Sequence, residues 1–299
     1  FSTDGYAATH PLVRADVQSS ANIEEMFDDI SYHKGASVIA MVRSHIEQNS
    51  PVPNAFSAAL SQYLQDNAYS VATAEQLWAS LGKGSNLTAL AGNMVTWTHA
   101  PGYPLVRFDW VEGSTDPAAP RTSGTLKVSQ QRMFRSAYSR SIAASTPLET
   151  AYTGTGGGSN QAEIVWWIPL GFLPAPGASA AVTGAALELV ANDGLSTAEW
   201  ASTFAFNAAT DGWLKANVNQ TGYYRVAYPA ALINALQAEV TGELLGTRAA
   251  LLSETDRAGL VDDLLATVFA GVAADDVTVA TALAYLNVTR YDLSFTVWR

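Results

Sequence analysis

The stretch Ile23 to Met41, IEEMFDDISYHKGASVIAM, decides how this chain is read. Asn22 can cap a helix whose first turn carries Glu24 and Glu25, where carboxylates meet the positive end of the helix dipole. Met26, Phe27 and Ile30 then share a face, and Ala36, Ile39, Ala40 and Val42 extend an apolar stripe into the next helix. Pro51 and Pro53 break the run. Phe56, Leu60, Tyr63 and Leu64 resume it at the spacing of a buried helical face. A further helix is predicted over Ala74 to Leu81 with Thr73 as its cap, so helical patterning fills Asn22 to about Leu90.

At Pro101-Gly102 the period changes to that of a half-buried strand: Val106, Phe108 and Trp110 alternate with Arg107 and Asp109. A polar loop from Gly113 to Gly124 follows, and Leu126, Val128 and Gln130 resume the alternation. Strand-like runs return at Glu163–Ile168 and Trp213–Tyr228, a pattern that predicts a β-sandwich. After Pro229 the helical period comes back, with Val261, Leu265, Val268, Phe269 and Val272 as one stripe. Amphipathic helices without an evident terminal cap read as the opening of a larger helical array, and the chain is expected to be cut at both ends.

Composition narrows the function. The 299 residues are 48% hydrophobic and 14% charged, a globular balance. Acids outnumber bases 27 to 16 for a net charge of −11, which argues against nucleic acid and anionic membrane surfaces as partners. No apolar run reaches membrane-span length, and nothing near Phe1 has the pattern of a signal peptide. The absence of cysteine removes thiol catalysis and thiolate metal binding. Three N-glycosylation sequons begin at Asn86, Asn219 and Asn287, and they tilt the expected location toward the secreted or cell-surface space.

Several chemistries find no support. His10, His33, His45 and His99 lack the i, i+4 spacing of a zinc-binding helix, so no metal ligands are expected within this chain. Gly154 to Gly158 and Gly82-Lys83-Gly84-Ser85 lack the context of a phosphate loop, and no Gly-x-Ser-x-Gly elbow occurs. Asp28, Asp29, Asp262 and Asp263 read as solvated helix faces, and His33 as a solvated side chain. Lys34 and Gly35 read as local packing, and Trp166-Trp167 as one core and one outer-face residue.

The opening stretch, with its Phe27-Asp28-x-Ile30-x-Tyr32-x-Lys34-Gly35-Ala36 run, resembles a segment of the M1 (gluzincin) zinc aminopeptidases. His10-Pro11 upstream is similar to that family's Ser-His-Pro. Phe56-x-x-x-Leu60-x-x-Tyr63-Leu64, Leu77-Trp78 and Met94-x-x-Trp97 through Gly102-Tyr103-Pro104-Leu105-Val106 follow in the family's order. So do Gln130-x-Arg132-x-Phe134, Trp166-x-Ile168-Pro169, Asn217-x-Asn219-x-x-Gly222-Tyr223-Tyr224-Arg225-Val226 and Asp256-Arg257-Ala258-x-Leu260. The likeness runs from about residue 9 to the end; near the C-terminus it departs, with Asn287-Val288-Thr289-Arg290 after Tyr285-Leu286 and Trp298 late.

The resemblance implies a multidomain α+β architecture: the helical tail of a thermolysin-like catalytic domain over 1–100, a β-sandwich over 101–228 and the first helices of a helical-repeat domain over 229–299. It implies a hydrolase that removes N-terminal amino acids from peptides, using a zinc whose histidine and glutamate ligands precede Phe1, so this segment alone is expected to be inactive. The one catalytic position carried over is Tyr32, whose phenol would donate a hydrogen bond to the oxyanion formed when water attacks the scissile carbonyl. The alternative is a scaffold of the same build that has lost its zinc and serves as a structural or interaction module.

Overall fold

The computed structural model describes residues 1–14, 17–111, 121–147, 160–180, 188–189 and 202–289. The expected loop at 113–120, the Gly154–Gly158 run and Trp298 lie outside the described residues. The described chain is mixed α and β, with a small sheet among many helices.

The N-terminal part is helical: α1 Ser20–Glu25, a π-helical turn Ile30–Lys34, α2 Gly35–Asn49, α3 Ala55–Asp66, α4 Ala74–Ser85 and α5 Leu90–His99. The cap of α1 is Ser19, whose hydroxyl accepts from the Asn22 N–H, so Asn22 lies inside the helix rather than ahead of it. Because α1 ends at Glu25, Phe27 leaves the predicted apolar face and is 68% exposed, while Ile30 remains buried. Thr73 caps α4 as predicted, and the cap is reciprocal: Gln76 N–H donates to Thr73 Oγ1 while Gln76 Oε1 accepts from the Thr73 N–H. Val38, Met41, Val42 and Ile46 of α2 face the interior with Trp78, Met94 and Trp97. Leu64 of α3 is exposed, so that helix buries a narrower face than its periodicity predicts.

The sheet follows: β1 Pro104–Trp110, β2 Ser123–Arg132, α6 Ala137–Ser145, β3 Ile168–Pro169, β4 Phe172–Pro174, β5 Glu188–Leu189, β6 Ser202–Asn207, α7 Ala208–Asp211, β7 Leu214–Ala216 and β8 Arg225–Ala227. Four strands pair in the order β6-β2-β1-β8; β1 runs antiparallel to β2 (Val106 opposite Gln130) and parallel to β8 (Val106 opposite Val226). The alternation read from the sequence holds in β2, where Leu126, Val128, Gln130 and Arg132 are buried. The pairs β3–β5 and β4–β7 form two further ribbons. Phe172 of β4 meets Phe108 of β1 edge-on with ring centroids 5.7 Å apart, and Tyr228 stacks on Phe108 from 5.4 Å.

The Trp166-Trp167 reading is corrected. Only Ile168–Pro169 of that run is strand, and both tryptophans are buried. The irregular segment is covered by helices on one side and sheet on the other: Trp97 of α5 donates its indole N–H to the Trp167 carbonyl at 2.6 Å, and Gln130 of β2 bonds Trp166 in both directions, at 2.7 and 2.8 Å.

Helices α8 Ala230–Leu244, α9 Glu254–Phe269 and α10 Val279–Thr289 complete the described chain. Leu260 and Leu264 of α9 point inward beside Asp256, Asp263 and Thr267, whereas Phe269 is 78% exposed. The inner face is therefore rotated from the predicted Val261–Val272 stripe, because it carries charge pairs as well as apolar contacts. One continuous core runs from Val38 in α2 to Tyr285 in α10.

Candidate functional site

Tyr32 sits in the π-helical turn between α1 and α2 and is 59% exposed, with its ring 6.4 Å from that of Phe27. Such turns insert an extra residue into a helical ladder and re-aim the side chains they carry. The turn is held from outside by Asp28, which accepts the Ser31 N–H at 2.9 Å and receives His10 Nε2 at 2.7 Å. His10 Nδ1 meets the Pro11 carbonyl at 2.8 Å, so the His10-Pro11 pair acts as a strut under the turn. Partial burial pulls the Asp28 pKa upward, yet the Ser31 N–H and His10 outweigh it and hold the carboxyl below its ordinary value.

From the opposite side, Lys34 enters the core with no exposure at all. Its ammonium lies 3.1 Å from Asp4 Oδ2 and donates to the carbonyls of Gly102 at 2.8 Å and Ala100 at 3.3 Å. Asp4, 1% exposed, also accepts from the Gly102 N–H (3.0 Å), the Thr9 hydroxyl (2.7 Å) and the Tyr223 hydroxyl (3.4 Å). Burial pulls the Lys34 pKa below the ordinary lysine value, with Asp4 opposing the fall. The reading of Lys34 as local packing thus misses a buried ion pair, and its partner lies 30 residues away where spacing along a helix gives no signal.

A second charge cluster joins the sheet to α9. Arg225 Nη1 lies 2.8 Å from Asp262 and 3.0 Å from Asp263, Asp263 Oδ2 accepts the Val226 N–H at 3.1 Å, and Lys215 is 3.4 Å from Asp256. Burial pushes the Asp263 carboxyl up to about 6 against the pull of Arg225 and Lys215. Asp262 is the solvated residue of the predicted pair; Asp263 is not.

A cleft of about 510 Å³ opens between the N-terminal segment, the π-helical turn and the Asn219–Tyr223 turn, with Asp29, His33 and Ser37 on one wall. His33 is exposed and lies 3.3 Å from Asp29. Among the described residues no group of three or more His, Asp or Glu is placed to hold a metal ion, so a zinc does not fit the residues in hand. None of the helices among them is long and apolar enough to cross a membrane. Asn86, Asn219 and Asn287 are all exposed, Asn86 in left-handed conformation at the end of α4.

Residues 1–97 match the Peptidase family M1 domain model, and residues 213–299 match the ERAP1-like C-terminal domain model. Over these two segments the chain is similar to M1 peptidases. Aminopeptidase M1 of Arabidopsis thaliana is 29% identical over 98% of this chain, and Tricorn protease-interacting factor F2 of Thermoplasma acidophilum 25% identical over 92%. Leucyl aminopeptidase of Saccharolobus solfataricus is 36% identical over 35% of it. The chain spans 28%, 26% and 12% of the length of those three relatives. Of the site positions carried by the resemblance, only Tyr32 falls on it.

Proposed function

We propose that the full-length protein is a zinc metallo-aminopeptidase that removes N-terminal amino acids from peptides, and that Tyr32 is its oxyanion donor. The observation that carries the Tyr32 role is its exposure on a turn braced on both flanks by His10–Asp28 and Asp4–Lys34. The zinc, held by residues outside this chain, would supply the activated water. Water oxygen adds to the scissile carbonyl carbon and gives up a proton, the carbonyl oxygen becomes anionic, and as that charge collapses back to a carbonyl the C–N bond breaks with the proton given up by the water passing to the leaving amine. Tyr32 donates its phenolic hydrogen to that oxygen as the charge develops, an interaction stronger in the transition state than in the bound substrate. A neutral phenol donates without a change of charge near neutral pH.

The reading extends to architecture: the helices of 1–100 as the tail of the catalytic domain, 101–228 as a β-sandwich and 229–299 as the start of a helical-repeat domain. The packing of β4 and Phe172 across Phe108 of β1 supports two apposed sheet layers. The exposed sequons support a glycoprotein that is secreted or cell-surface.

The test of the catalytic role is Tyr32→Phe in the full-length protein with an aminoacyl reporter substrate. Loss of a single oxyanion donor costs about 100- to 1000-fold in kcat, and KM is expected to stay within about twofold because the interaction is absent from the ground state. A kcat within about threefold of the parent removes Tyr32 from the mechanism, and no turnover by the parent itself brings forward the scaffold alternative.

A further inference from the structure

The geometry points to the buried Asp4–Lys34 pair as the positioning device that sets the aim of Tyr32, by fastening its π-helical turn to the junction between α5 and the sheet. This rests on the Tyr32 reading above. Lys34 is two residues beyond Tyr32 in the same turn, and the two leave it in opposite directions, Lys34 fully buried and Tyr32 59% exposed. All three ammonium hydrogens of Lys34 have an acceptor: one carboxylate and two backbone carbonyls. The carbonyls belong to Ala100 and Gly102, where α5 gives way to β1, and the carboxylate is tied to Gly102, Thr9 and Tyr223, the last just ahead of β8. A turn gripped at three fixed acceptors cannot roll about its axis or slide along the sheet, and rolling is the motion that would swing the Tyr32 hydroxyl away from its target.

Packing alone does not account for the pair. Placing a charged amine and a carboxylate in the interior carries a desolvation cost, and an apolar side chain of the same length fills such a space at least as stably. What the ion pair adds is direction, since hydrogen bonds to charged groups are angle-dependent where apolar contacts are not. The other brace, His10–Asp28, lies at the solvent-facing flank of the turn, with side chains 23% and 31% exposed, and leaves rotation about the inner flank unconstrained.

The experiment is a double-mutant cycle in the full-length protein: Asp4→Asn with Lys34→Met, made in the parent and again on the Tyr32→Phe background. In the parent, kcat is expected to fall about 10- to 100-fold, the range a displacement near 1 Å produces, with KM within about twofold. On the Tyr32→Phe background the same two substitutions are expected to cost less than about twofold, because nothing remains to be aimed. Full kcat in the folded double variant overturns the proposal, and so does an equal loss on both backgrounds, which would mean that the pair acts elsewhere. If Tyr32→Phe alone leaves kcat unchanged, the Tyr32 reading fails and the positioning role fails with it. Should Asp4→Asn/Lys34→Met not fold, Thr9→Val removes one donor to Asp4 at the surface of the cluster; a drop in kcat at constant KM supports the proposal, and an unchanged kcat overturns it.

Discussion

Gly102 is where the helical part becomes sheet, and replacing it with alanine separates two sources of strain by size. Its φ of +85° belongs to the left-handed region, and a Cβ built there falls 2.4 Å from Arg132 Nε. Gly177 has nearly the same φ, +84°, with nothing within 4 Å of its Cβ, so Gly177→Ala reports the conformational cost alone. That cost is about 1–2 kcal/mol, reduced by several tenths because alanine also restricts the unfolded chain. At Gly102 the backbone cannot shift to make room, since its N–H is held by Asp4 at 3.0 Å and its carbonyl by Lys34 at 2.8 Å. Arg132 must therefore move. It is 1% exposed, donates to the Gln161 carbonyl at 3.0 Å and lies 4.8 Å over the Phe134 ring. Losing a hydrogen bond from a charged donor adds about 1.5–3 kcal/mol, and the cation–π contact about 0.5–1 kcal/mol. Gly102→Ala is thus expected to destabilise by about 3–5 kcal/mol and Gly177→Ala by about 1 kcal/mol. Urea unfolding of the full-length protein, followed by fluorescence of the tryptophans that flank the junction, measures the difference between the two. If Gly102→Ala falls within about 1 kcal/mol of Gly177→Ala, the claim that Asp4 and Lys34 lock this backbone is refuted.

Asp263 gives a pH signature. Its folded pKa is raised to about 6, so from the ordinary carboxylate range up to about pH 6 the folded chain holds a proton that the unfolded chain has lost. Its contribution to stability therefore falls as pH rises through that window and is level above it. Arg225, Lys215 and Asp262 are the charges around it. Asp263→Asn removes the fall, so the parent's stability relative to the variant should be greater at pH 4.5 than at pH 7 by about 2 kcal/mol, the part of the window above pH 4.5 at about 1.4 kcal/mol per unit. Urea midpoints at the two pH values test this, and a difference that does not change with pH refutes it. Glycosylation is expected first at Asn86, on an exposed helix end; in protein expressed through a eukaryotic secretory route, Thr88→Ala should lower the mass by one endoglycosidase-sensitive glycan, and an unchanged mass rules that site out.

Legibility in the sequence tracked the range of the interactions concerned. The Thr73 cap and the alternation of β1 and β2 depend on neighbours within a few residues, and both were readable from spacing. Asp263 and Lys34 were not, because what buries them is an opposite charge 38 and 30 residues distant, and a lone Asp or Lys on a helix carries no mark of its partner. The tryptophan pair misled for a related reason: alternation assumes that one side of a strand faces water, and here both sides are covered. Tyr32 was singled out through the run of residues around it, since exposure on a π-helical turn leaves no periodic trace.

The parallel pairing of β1 with β8 has a consequence for synthesis. Arg107 lies opposite Ala227, so one edge of β1 has no strand beside it until roughly 120 further residues have been made, about 6–24 s at ordinary translation rates. Over that interval Leu105 and Val106, fully buried in the finished fold, stand on an open edge with their backbone groups unpaired. A chain stalled or clipped between β2 and β8 would be stranded in that state. Such an edge is a template for pairing with another copy, and the segment that supplies Arg225 and Ala227 is what ends the risk.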